Sequence, residues 1–89
     1  MPTISMFFGI VVLLYYRDDR RHHRPHTHAR HHDREVAVAI DDSEVLEGSL
    51  PLRQMRLLLA WIEIHREDLL ANWDLAVQGL PPFRIPPLR

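Results

Sequence analysis

Six of the chain's seven histidines fall between Arg17 and Arg34, in the run RDDRRHHRPHTHARHHDR, with six arginines and three aspartates. Histidine binds transition metals, exchanges protons near neutral pH and stacks on bases, so the chemistry of this chain is to be sought here first. His26 and His28 are the sharpest pair. On a β-strand they point to the same face with Cα atoms about 6.6 Å apart, close enough for two imidazoles to converge on one ion. His22 in the preceding loop supplies a third ligand, and Asp18 or Asp19 a carboxylate. Three histidines and one open position would let zinc or another transition metal activate water.

The same segment supports other chemistries. Arg17, Arg20, Arg21, Arg24, Arg30 and Arg34 can each meet a phosphate, which makes RNA a candidate partner. Asp18, Asp19 and Asp33 dilute that charge, and an overall pI near 6.6 is unlike a dedicated nucleic-acid binder. Protonation of the six histidines would also make the run a pH sensor. A solvated basic loop explains the run more simply than any of these. Further along, His65 sits on a helical stripe, where a core histidine bonded to backbone is the plain reading. The functional alternative has it reaching the His26–His28 pair as an auxiliary group.

Composition limits the rest. Six arginines against three aspartates leave the run at +3, and five arginines against nine acids leave the remainder at −4. The chain has 89 residues, enough for one domain and one small core. It has no cysteine, which removes disulfides, thiolate nucleophiles and Cys-based zinc sites and fits a reducing cytoplasm. Lysine is also absent, so neither a Schiff-base lysine nor a P-loop lysine is available. The apolar run from Met6 to Tyr16 has no basic residue before it and falls short of the ~20 residues of a spanning helix. A buried strand is expected there, and no membrane association.

These residues need a scaffold that the hydrophobic pattern supplies. Phe8 to Tyr16 reads as a central strand, His26 to His32 as a second and Glu35 to Ile40 as a third, with a hairpin turn at Asp33–Arg34. Val36, Val38 and Ile40 share one face, and Ala37 and Ala39 the other. Glu44 to Glu47 reads as a short fourth strand ended by Gly48. Ser49 and Pro51 mark a helix start. Met55, Leu58, Leu59, Ile62, His65, Leu69, Trp73 and Ala76 then recur at helical spacing, as one long helix to Gln78 or two with a bend near His65. Gly79 and Pro81–Pro82 stop it. The expected fold is α+β: a small antiparallel sheet of three to four strands, then one long or two short C-terminal helices packed on one face. Residues 1–80 form that domain and 81–89 a Pro-rich extended tail. The tail either meets a partner or folds back on the body through Phe83, Ile85 and Leu88.

Several segments together resemble a known family of small bacterial proteins. They are MPTISMFFGI at the start, YYRD at Tyr15 to Asp18, PHTHA at Pro25 to Ala29, EGSLP at Glu47 to Pro51, and the pattern of Trp61, His65, Asn72 and Trp73. The chain is similar to domain-of-unknown-function family 4160 over nearly its whole length. The resemblance aligns His22, His26 and His28 with the family's His-x3-His-x-His spacing. It departs from the family in the spacing of Asp18 and Asp19, in Arg24 where a proline is usual, and in Thr27 where an aromatic is usual. It implies a small cytoplasmic α+β protein, often encoded beside a second small domain in arrangements resembling toxin–antitoxin pairs, with no established activity. Two functions therefore stand as expectations. One is a protein-binding module with a nearby-encoded protein partner, or a second copy of itself, docking on the sheet edge or the tail. The other is a metal-dependent hydrolase, with RNA as a candidate substrate, that uses His22, His26 and His28, with Asp18, Asp19 or His65 as base.

Overall fold

The computed structural model describes residues 2–15 and 24–89. Its elements are β1 (Thr3–Phe7), β2 (Ile10–Leu13), β3 (His26–His31), β4 (Arg34–Ala39), β5 (Val45–Gly48), α1 (Leu52–Ile64) and α2 (Arg66–Val77). The strands form one antiparallel meander in the order β1-β2-β3-β4-β5, followed by the two helices. The class is the expected α+β, but the sheet has five strands rather than three to four.

The added strand is β1. The apolar stretch expected to be a single central strand is broken by a two-residue hairpin at Phe8–Gly9, closed by the Phe7–Ile10 pair. Both turn residues have positive φ, 48° and 77°. Such hairpins usually carry Asn-Gly, and the phenylalanine in that place hides the turn inside an apolar run. The second hairpin turns at His32–Asp33, one residue earlier than expected, with His32 at φ 56° and His31 paired to Arg34. The chain follows no Gly signal there, so its pattern leaves the turn position open by a residue.

Alternation divides the sheet into two faces. Val12, Ala29 and Val36 lie in one row across β2, β3 and β4, with Thr27 and Val38 in the next. Val12, Ala29, Val36 and Val38 join Ile4, Phe7, Ile10, Leu14 and Ile40 in a core with Leu58, Trp61 and Ile62 of α1 and Leu69, Trp73 and Ala76 of α2. Burying such side chains stabilises by roughly 1.5–3 kcal/mol each. Trp61 is fully buried and lies 5.2 Å from the Phe7 ring, centroid to centroid.

The helical stripe is interrupted at His65, whose φ of −108° and ψ of 25° separate α1 from α2. Arg66 fastens the break to the sheet: Nη1 donates to the carbonyls of Ile40, at 2.9 Å, and Asp41, and Nη2 to Ser43 Oγ at 3.2 Å. Ser49 does not cap α1. Pro51 is the N-cap residue, without a side-chain cap, and Ser49 Oγ accepts from Arg34 Nη2 at 2.7 Å. At the far end Gly79 N–H donates to Ala76 O at 3.0 Å and Leu80 N–H to Leu75 O at 2.9 Å. With Gly79 at φ 77° this is a Schellman motif, whose N–H groups donate to orphan carbonyls as the chain turns out of the helix.

The tail then returns along β1. Ile85 N–H donates to Ile4 O at 2.8 Å, and the Ile85 side chain is buried. Asn72 holds Phe83 twice, Nδ2 donating to its carbonyl at 2.8 Å and Oδ1 accepting from its N–H at 2.9 Å. Trp61 Nε1 donates to Pro86 O at 2.9 Å, and Leu88 packs against the core. Phe83 contributes backbone bonds, while its ring stays exposed.

Candidate functional site

The second sheet face carries the ionisable groups. Register places Leu13, His28, Ala37 and Glu47 in one row across β2 to β5, and Val11, Arg30 and Glu35 in the next. His26 stands opposite Ala39 and His28 opposite Ala37. The two alanines leave space over the sheet that imidazoles can use, a reason for the Ala-x-Ala spacing in β4.

His26 and His28 do share a face, with ring centroids 5.2 Å apart. Their surroundings differ. His26 is fully buried, its Nδ1–H donates to Arg24 O at 2.9 Å, and its ring lies 4.9 Å from that of Trp73. His28 has its Nδ1 3.5 Å from Glu35 Oε2 and its ring edge-on to Tyr15 at 4.4 Å. His22, Asp18 and Asp19, the remaining candidate ligands, lie outside the described residues, as do Arg17, Arg20 and Arg21. Among the described residues, no group of three or more His, Asp or Glu is arranged to hold a metal ion.

Glu35 is the centre of the array. Arg30 Nε donates to Glu35 Oε1 at 2.7 Å, and Arg30 Nη2 donates to the Tyr15 hydroxyl at 3.2 Å. The Tyr15 hydroxyl in turn approaches Glu35 Oε1 at 3.5 Å. Partial burial opposes ionisation of Glu35. The Arg30 hydrogen bond and the nearby His28 imidazole outweigh it and hold the carboxyl below the usual glutamate range. Arg30 is reciprocally raised, chiefly by its hydrogen bond to Glu35. Both side chains remain about half open to solvent, at 44% and 42% exposure.

Among the described residues, Arg24, His31 and His65 make contacts within the scaffold. Arg24 Nη2 reaches Asp41 at 2.9 Å and Asp42 at 2.7 Å, and Nη1 reaches Glu44 at 3.3 Å, tying the start of β3 to the β4–β5 turn. Those bonds raise the Arg24 pKa further. Asp42 is lowered, first by the Glu44 backbone N–H it accepts. With its charge shared among three acids, Arg24 is poorly placed for phosphate. His31 Nδ1–H donates to Gly9 O at 3.0 Å, linking the two hairpin tips, and His32 packs on His31. His65 sits at the helix break, 5.4 Å from Trp61 and with Nδ1 4.0 Å from Asp68 Oδ2. An open cleft there is lined by Glu63, His65, Arg66, Glu67 and Asp68.

Tyr15 and Glu35 were not among the sequence candidates. The signal for Glu35 was the hairpin register: a turn at Asp33–Arg34 sets it opposite His32, and the actual turn at His32–Asp33 sets it opposite Arg30.

Residues 9–74 match the family described as domain of unknown function (DUF4160), a span covering most of the chain. The chain belongs to that family. No curated protein and no solved structure matches it. No helix among the described residues is long and apolar enough to cross a membrane.

Proposed function

We propose that this DUF4160 member is a protein-binding module, one half of a two-component pair of the toxin–antitoxin type. It would receive an extended segment of its partner along the outer edge of β5. The observation that carries the reading is the unequal finish of the two sheet edges. At β1 the outer edge is met by the chain's own tail. At β5, the last strand in the sheet order, Val45, Glu47 and Gly48 are exposed. An edge of that kind offers N–H and C=O groups to an added strand, and natural chains usually guard it. The guard here is slight, a single charged residue in four, and Val45 adds an exposed apolar contact.

The tail is the less suitable docking element, because its backbone bonds to Ile4, Asn72 and Trp61 are already made. The metal-dependent hydrolase reading draws less support from the described residues, since His26 is buried and hydrogen-bonded to backbone.

The test is amide hydrogen exchange of the chain with and without the small protein encoded beside it. Added protection confined to Val45–Gly48 is expected. Protection elsewhere, with β5 unchanged, would overturn the assignment of the edge.

A further inference from the structure

We propose that Tyr15, Arg30 and Glu35 form an acid–base centre that cleaves RNA by attack of the ribose 2′-hydroxyl on the adjacent phosphodiester. This goes beyond the docking reading and uses a different surface, the polar face of the sheet.

Three observations converge. The first is connectivity. A cross-strand ion pair would account for Arg30 facing Glu35. It does not account for a phenol hydrogen-bonded to both members or an imidazole on the second carboxylate oxygen. The second is access: Arg30 and Glu35 are each about half exposed, so a phosphate and its neighbouring hydroxyl can reach them. The third is capacity. A guanidinium has five N–H donors, and Arg30 uses one on Glu35 and one on Tyr15. The rest can meet the non-bridging oxygens of a phosphodiester, where a guanidinium binds most strongly.

The step balances within these side chains. The 2′ oxygen attacks phosphorus as its proton passes to the Glu35 carboxylate, which its low pKa keeps ionised at neutral pH. The P–O2′ bond forms and the P–O5′ bond breaks. The departing O5′ takes the Tyr15 hydroxyl proton. Glu35 then returns the captured proton to the phenolate oxygen, 3.5 Å away. Arg30 spans base and acid and stabilises the charge gathering on the phosphoryl oxygens. The products are a 2′,3′-cyclic phosphate and a 5′-hydroxyl end, and no other reactant is consumed. His28 is a positioning residue, holding Glu35 Oε2 and the Tyr15 ring.

The experiment incubates the full chain with an end-labelled single-stranded RNA in excess EDTA. A 2′-O-methyl copy of that RNA and the variants Glu35→Gln, Tyr15→Phe and Arg30→Ala run alongside, each with its fold checked by circular dichroism. The expected result is cleavage of the unmodified strand alone, ending in cyclic phosphate. Folded Glu35→Gln and Tyr15→Phe should each lower kcat by ~100-fold or more. Arg30→Ala should act on both kcat and KM. No cleavage above buffer by the unmodified chain would overturn the proposal. So would equal cleavage of the 2′-O-methyl strand, or rates unmoved in a folded Glu35→Gln. Should Arg30→Ala fail to fold, the two near-isosteric variants decide.

Discussion

Along β1 the sheet is finished by the chain itself: the tail leaves α2 through Gly79, passes Asn72 and lays Ile85 on Ile4. Along β5 the finish is a short strand with exposed Val45, Glu47 and Gly48. The first edge is met by the buried Ile85, whose N–H bonds to Ile4 O, and the tail that carries it is anchored to the helices by two Asn72–Phe83 bonds and one Trp61–Pro86 bond. Among the described residues, the second pairs with β4 in the sheet order. The tail thus meets β1 at Ile85, whereas Val45, Glu47 and Gly48 of β5 stay exposed, and the proposed docking rests on that difference.

That contrast can be broken by substitution. The largest effect is expected at Gly48, which ends β5 with φ 75°; a Cβ there would lie 2.1 Å from Glu35 O. Gly48→Ala should cost on the order of 4 kcal/mol in urea unfolding, since the new Cβ meets a backbone carbonyl fixed in the sheet and the positive φ is strained for alanine. Next, Ile85→Ala should cost about 3 kcal/mol and expose the Ile85 amide to exchange. A loss near zero would mean that the tail does not close β1. Asn72→Ala should cost about 2 kcal/mol, because Asn72 is fully buried and both bonds to Phe83 go.

A smaller effect concerns pH. Glu35 is held below its usual pKa, so the stability it adds is present above the unfolded carboxyl value, roughly 4.3, and is lost as pH falls through its folded value. Arg30→Ala should raise the Glu35 pKa, read by NMR titration, and flatten that acid limb. Val45→Lys, on the open edge, should change stability least, within about 0.5 kcal/mol.

Periodicity carried much of this architecture. The valines and alanines of β4 marked two faces by simple alternation, and the helical stripe from Leu58 to Ala76 marked the core but left one helix or two open, which the structure resolves as two at His65. What escaped depended on single residues acting against type. Phe8 occupies a turn position where glycine or asparagine is usual, so it read as the start of a strand and β1 before it went unread. The one-residue shift of the β3–β4 turn hid the Arg30–Glu35 pairing. Histidine density drew attention to the run from Arg17 to Arg34. Yet His26 and His31 hydrogen-bond to backbone, and the connected polar array gathers around Tyr15 and Glu35, which lie in an apolar run and a strand start. Spacing along the chain could not join them; the β3–β4 register sets Arg30 opposite Glu35, and side-chain bonds bring in Tyr15 from beyond β2.

The most direct test of the proposed docking at β5 is whether a candidate partner, a small protein encoded beside this chain, forms a complex with it, read as mass by light scattering on the column for the unmodified chain and Val45→Lys. Docking at β5 predicts a stable one-to-one complex for the first and at least ~10-fold weaker association for the second, equivalent to about 1.4 kcal/mol. A complex of unchanged affinity with Val45→Lys would contradict it.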